Sequence, residues 1–163
     1  MAPQLSLTFT ENGVTGVAEL LEKDAPRTCE MLWKCFQQPA REKVIHAMYA
    51  GREIMFPIPQ PNRVVDPRGL PPENQTITPL PGEIGFVFYP PHRLLGGGSG
   101  KPMDEEFWDL TIFYGRNVRV FSTLGWLPVS IFAKIVTGLP EFAEMCEKVR
   151  TEGLKEMEIK WLK

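Results

Sequence analysis

The sequence is poor in the features that mark several large functional classes. Lysine and arginine total 18 against 20 acidic residues, for a net charge of -2. Without a basic excess, no nucleic-acid surface is expected. No apolar run approaches the ~20 residues a membrane helix needs, so no membrane partner is expected. The opening "MAPQLSLTFTENG" has no basic start followed by an apolar run, so a secretory leader is not expected and the location is read as cytoplasmic. The sequon "NQT" at Asn74 is then read as accidental. Three cysteines, Cys29, Cys35 and Cys146, are an odd set without CxxC spacing. That argues against a disulfide framework and a zinc site, and for reduced, mostly buried thiols. Only two histidines are present, His46 and His92, and no nucleophile elbow, so a serine triad has no support. No metal and no cofactor is expected.

One motif invites a nucleotide reading and fails it. In "LLGGGSGKP" the position five before Gly100 is Leu95, and Pro102 follows Lys101 where a phosphate loop needs Ser or Thr. The segment is read as a surface loop.

What is present suits one globular domain over residues 1–163. Hydrophobic residues make up 43% and charged residues 23%. This length buries a core without staples.

The pattern along the chain is mainly strand. "LSLTFTENGVTGVAELL" alternates about Glu11-Asn12-Gly13, with Leu5, Leu7 and Phe9 on one face, and predicts a hairpin. "KDAPRTCEMLWKCFQQP" predicts a helix: Asp24 as N-cap, Pro26 in the first turn, and Cys29, Leu32, Trp33 and Phe36 at helical spacing. Trp33 is placed in the core. Val44 to Ile58 predicts strand structure bent or bulged at Gly51. A proline-rich loop follows, long enough to suggest function. "IGFVFYP", "FWDLTIFYG" and "VRVFSTLG" predict strands, and "SIFAKIVTG" is a further apolar piece. "LPEFAEMCEKVRTEG" predicts a second helix with Phe142, Met145, Cys146 and Val149 on one face. "LKEMEIKWL" alternates as a last strand. Many short strands with two isolated helices suggest a closed or nearly closed β-barrel capped by helices.

The order of these elements and several strings resemble cyclophilin. "DAPRTCEMLWKCF" is similar to its first helix, "IHAMYAGREIM" to its "FHRVIPGFMxQ" strand pair, "PGEIGFVF" to "GxLSMAN", and "IFAKIVTGLPEFAEMCEKV" to "VFGKVVEGMDVVxKIE". The resemblance implies a cyclophilin-like barrel. It breaks on the ligand face. Ala47 stands where cyclophilins carry the arginine that stabilises the twisted prolyl amide. Arg52, Glu53 and Met55 replace the pocket phenylalanine, methionine and glutamine, and Val129 replaces the pocket histidine. Alanine supplies neither charge nor hydrogen bond to a transition state.

A nearer resemblance is to small bacterial and archaeal cyclophilin-like proteins that carry a domain of unknown function. The matching strings are Ala25 to Cys29, His46 to Glu53, Pro71 to Gly82 and Phe88 to Pro90. The fold also resembles that of cucumopine-type opine synthases, which join histidine to a 2-oxo acid by a Pictet–Spengler condensation without a redox cofactor. That analogy implies a small-molecule enzyme using acid/base chemistry on a carboxylate-bearing substrate. The alternative is a non-catalytic module that binds a peptide or metabolite. The sequence is also compatible with a homo-oligomer.

Each candidate residue has two readings. Arg52 and Glu53 are either a surface pair or, in the cyclophilin frame, ligand-face residues, with Arg52 as a bidentate carboxylate clamp. Neighbours on a regular strand point to opposite faces, so only a bend at Gly51 brings both into one pocket. His46 is either an acid or base or a histidine bonded to backbone. Glu73 and Asn74 in "PPENQT" either move protons and orient a carbonyl, or form a turn. Tyr49 and Trp126 either line a pocket or pack at a rim. The cysteines on predicted buried faces are poor nucleophiles.

With Ala47 in place of the arginine, a peptide isomerisation assay should show no acceleration of proline cis/trans exchange, which then takes about tens to hundreds of seconds. A cyclophilin-like rate would contradict this.

Overall fold

The structure, a computed structural model, describes residues 2–95 and 100–162. Most of the glycine-rich segment, residues 96–99, lies outside the described residues, and so does its expected character as a surface loop.

Alternation about the Asn12-Gly13 turn gives β1 (Gln4–Phe9) and β2 (Thr15–Leu20). Gly13 takes a φ of +75°, a conformation that costs glycine little. Leu5, Leu7 and Phe9 are buried together. Helix α1 (Pro26–Cys35) buries Cys29 and Leu32, with Phe36 just beyond its end. Two details depart from expectation. The N-cap is Ala25 rather than Asp24, and its side chain makes no capping bond. Trp33 is 42% exposed rather than in the core. It lies about 100° around the helix from Leu32, at the margin of the apolar stripe, and meets Trp161 with ring centroids 4.1 Å apart.

Val44 to Ile58 is two strands. β3 (Ala40–His46) and β4 (Glu53–Pro57) run antiparallel, with Ile45 opposite Met55 and His46 opposite Ile54. Gly51, at φ +102°, turns the chain between them instead of bulging a single strand. The proline-rich segment holds two single 3-10 turns, Gln60–Asn62 and Pro67–Gly69, and the short β5 (Gln75–Thr76). Buried Asn62 pins this segment to the end of α1, donating to the carbonyls of Cys35 and Gln38 at 2.9 Å each. β6 (Glu83–Tyr89) and β7 (Phe107–Phe113) follow. "VRVFSTLG" contributes only the short β8 (Phe121–Ser122), paired with β9 (Gly125–Trp126) in a separate small hairpin. The apolar piece after it is a strand, β10 (Val129–Thr137). Helix α2 (Leu139–Glu152) buries Phe142, Met145, Cys146 and Val149, and β11 (Lys155–Leu162) ends the fold.

The strands lie in the order β2-β1-β11-β3-β4-β7-β6-β10, and β2 pairs with β10 to close an eight-stranded antiparallel barrel. Closure pairs both outer strands of the eight, and the short β5 adds to β10 beside it. Helix α1 packs against β10, and α2 against β2 and β3.

The pleat of β4, β6 and β7 creates two buried faces. Ile54, Phe56, Ile84, Phe86, Leu110 and Ile112 point into the barrel core. The alternate residues point outward, as period-2 alternation requires. There Val87, Tyr89 and Phe113 meet Ala50, Val118, Val120, Val129 and Ile131 in a second apolar cluster.

Gly85 sits where the two layers press closest. A Cβ there would run into the Val129 side chain and meet Thr111 Oγ1. Val129 is fully buried, and its branched side chain has little room to move. Gly85→Ala should therefore cost about 1–3 kcal/mol by urea denaturation. A change within error of zero would contradict this close approach.

Candidate active site

Between the outward face of β4, β6 and β7 and the segments that cover it lies a cavity of about 440 Å³. Its walls are mostly apolar, with Met55, Val87, Leu94, Phe107, Val120 and Leu127 among them. Tyr49 and Phe121 line it from partly exposed positions. Into this lining project two carboxyls, Glu53 and Asp109, and the hydroxyl of Thr111.

The register explains the grouping. Asp109 and Thr111 are two apart on β7 and share its outward face. Thr111 lies opposite Met55 on β4, and Glu53 lies opposite Phe113, two further along β7. Glu53 is 4% exposed and Asp109 2% exposed. Burial pushes the Glu53 carboxyl up to about 7. Burial, then the nearby charge of Glu53, holds Asp109 well above the usual carboxylate range. Among the described residues, Asp109 Oδ1 and Thr111 Oγ1 are buried without a hydrogen-bond partner. Leaving such atoms unsatisfied costs roughly 1–3 kcal/mol each, and orphaned buried polar atoms are uncommon in folded proteins. The neighbouring Tyr89 phenol is held un-ionised by burial, then by Asp109 and Glu53.

His46 also lines the cavity, but both ring nitrogens are engaged. Nδ1 lies 2.8 Å from the Ala47 carbonyl, which can only accept, so Nδ1 donates. Nε2 lies 2.7 Å from the Tyr114 hydroxyl, which reaches Glu147 Oε2 at 2.8 Å. His46 is thus a wall braced by α2.

The other sequence candidates separate. Arg52, just before β4, is exposed, lies over Gly115 and is outside the cavity lining that Glu53 enters. The bend at Gly51 does not bring the two together. Glu73 is the missing cap of α1. Its Oε1 accepts from Arg27 N–H at 3.0 Å, and its Oε2 from Thr28 N–H and Oγ1 at 2.8 Å each. Desolvation raises its pKa, but the bonds from Thr28 and Arg27 outweigh this and leave it lowered. A carboxylate at a helix N-terminus needs no catalytic explanation. Asn74 ties the same loop to β10, donating to the Ile131 carbonyl at 2.9 Å. Trp126 is outside the lining and packs on Phe121, ring centroids 5.1 Å apart. Of the seven candidates, Glu53, His46 and Tyr49 reach the cavity.

Asp109 and Thr111 escaped the sequence reading. The available signal was a lone aspartate in "FWDLTIF", a strand apolar on both faces, where any carboxyl must be buried. The cysteines behave as expected: all three are buried, and burial, then Glu22 and Glu73, pushes the Cys29 thiol up to about 12. Among the described residues, no three His, Cys, Asp or Glu side chains cluster as metal ligands, and no helix is long and apolar enough to cross a membrane.

A family model described as "protein of unknown function (DUF3830)" matches residues 7–161. The chain belongs to the DUF3830 family. No curated protein matches this DUF3830 protein. Among solved structures it is similar to McbB, in a structure of McbB in complex with tryptophan, at a TM-score of 0.63 and 20% identity. The match covers 96% of the DUF3830 chain and 44% of McbB, so the chain spans less than half of that protein's length. At this identity the likeness shows the shared cyclophilin-like barrel.

The pKa of Glu53 carries a stability signature. In the unfolded chain it ionises near 4.5, and in the folded DUF3830 protein near 7. Between these values the folded state holds a proton the unfolded state has lost. The contribution is therefore full below about pH 4.5, is lost as pH rises towards 7, and amounts to roughly 3 kcal/mol. The lowered carboxyl of Glu73 acts at lower pH and does not overlap. Asp109, also raised, loses stability in the same direction as pH rises and remains in the variant, so the urea midpoint should fall from pH 5 to pH 8 and Glu53→Gln should make that fall smaller without abolishing it. An unchanged slope in the variant would contradict the assignment.

Proposed function

We propose that this DUF3830 protein is a cofactor-free small-molecule enzyme whose acid/base groups are Glu53 and Asp109. The observation that carries this reading is the pair of desolvated carboxyls facing an apolar cavity, one with an unpartnered oxygen. Glu53, held near neutral, and Asp109, held well above the ordinary carboxylate range, are suited to donate a proton as acids and recover it as bases. Such pairs divide acid and base roles through their environments. The proton-moving role considered for Glu73 passes in this proposal to Asp109, because Glu73 is occupied on α1.

The reaction that fits best is an opine-type condensation of an amino acid with a 2-oxo acid, closed by a Pictet–Spengler ring formation. The amine adds to the ketone to give a carbinolamine. A carboxylic acid protonates the departing hydroxyl, which leaves as water, and an iminium remains. A ring carbon of the amino acid attacks the iminium carbon, and a carboxylate removes the ring proton. The product is the sum of both substrates less one water, with no net oxidation. The bound tryptophan of McbB supports the reading only as a likeness of fold and ligand size. An Arg52 clamp on the substrate carboxylate is not retained, because that side chain lies outside the cavity lining.

Incubation with histidine or tryptophan plus 2-oxoglutarate, followed by mass spectrometry, should yield the condensed product. Glu53→Gln and Asp109→Asn should each slow its formation at least about 100-fold while the protein stays folded. Ligand binding without product would favour the non-catalytic module instead.

A further inference from the structure

We infer that the cavity takes a primary amine on an apolar, aromatic-sized body, its ammonium seated between Glu53, Asp109 and Thr111 and its carboxylate, if any, kept out of the apolar interior. The inference names the ligand class of the site whose chemistry is proposed above. It concerns binding alone, so it stands or falls separately from turnover.

The matching of donors and acceptors carries it. An ammonium has three N–H donors and no acceptor. The cavity offers the Asp109 carboxyl, with Oδ1 lacking any partner, the Thr111 hydroxyl, also unpartnered, and the Glu53 carboxyl. All three residues are buried; Asp109 and Thr111 are two apart on the same face of β7, and Glu53 lies on β4 two register positions beyond Thr111. Among the described residues no lysine or arginine lines the cavity, Arg93 acting only on Tyr89 at its edge, and both His46 nitrogens are bonded elsewhere. A ligand carboxylate placed inside would therefore face two acidic groups without a cation. Burying a charge without an opposite partner is strongly disfavoured. Phe107, Tyr89 and Phe121 supply aromatic surface for the ligand body. An ammonium ion can also lie against such ring faces.

Binding should move protons in a diagnostic direction. Burial holds both the Asp109 and the Glu53 carboxyl above the ordinary carboxylate range. An arriving ammonium favours the ionised carboxyls, so protons leave as it binds.

The experiment uses three probes of similar shape: 2-phenylethylamine, 3-phenylpropionate and 3-phenylpropan-1-ol. Thermal shift and calorimetry at pH 7 are run in two buffers of different ionisation enthalpy. The amine should raise Tm and bind at least 10-fold more tightly than the acid or the alcohol, releasing up to one proton per site. Asp109→Asn should weaken the amine at least 10-fold and reduce the proton release. Thr111→Val, which keeps the shape of the wall, should weaken it by a smaller factor and serves as a second test if Asp109→Asn does not fold. Equal or tighter binding of 3-phenylpropionate, no binding of any probe, or amine affinity unmoved by either folded variant would overturn the inference. Amine binding with no condensation product would leave it standing while removing the reaction proposed above.

Discussion

Strand β7 is buried on both of its faces, and the rest of the structure is arranged around that constraint. Its even-numbered residues, Trp108, Leu110 and Ile112, fill the barrel. Its odd-numbered residues cannot face water, because the segments carrying Ala50, Val118, Val120 and Val129 fold over the outside of the sheet. Burying apolar side chains on that second face is favourable. Burying Asp109 there is not, and desolvation holds its carboxyl well above the usual carboxylate range. The site therefore exists because a sheet face that would ordinarily be wet has been roofed, while acidic residues remain beneath the roof.

This arrangement divides labour among residues adjacent in sequence. Arg52 and Glu53 look like a pair, yet one lies over Gly115 outside the cavity and the other points into it. Glu73 and His46 have chemistry-bearing side chains but spend their hydrogen bonds on architecture. Glu73 closes the N-terminus of α1, and His46 joins the cavity wall to α2 through Tyr114 and Glu147. The covering segments are held by backbone bonds, from Arg119 N–H to the Ala50 carbonyl and from Val120 N–H to the Ile77 carbonyl, which preserve the desolvation of Glu53 and Asp109. Unpartnered buried atoms such as Asp109 Oδ1 oppose folding, which is a common cost of sites kept ready for a ligand.

Much of the fold was legible in the sequence because it rests on periodicity. The first hairpin, the buried faces of both helices and the last strand follow from apolar spacing that local geometry must satisfy. The junction at Gly51 was less legible: a φ of +102° suits a bulge or a turn, and only the pairing of Ile45 with Met55 decides for a turn. Trp33 misled because helical spacing locates a face but not its margin. The site was half legible. Glu53 stood out as a charge in an apolar stretch, whereas Asp109, equally anomalous in "FWDLTIF", went unweighed. Its role depends on a cover contributed by residues distant in sequence, which no local pattern reveals.

The central claim is that two carboxyls beneath this cover titrate far from the ordinary range, and a direct measurement is a pH titration of the protein with ¹³C-labelled side-chain carboxyls followed by NMR. Glu53→Gln and Asp109→Asn spectra would assign the two signals. One carboxyl is expected with a midpoint near 7 and a second well above the usual value near 4. Finding both signals titrating between about 3 and 5 would contradict the account.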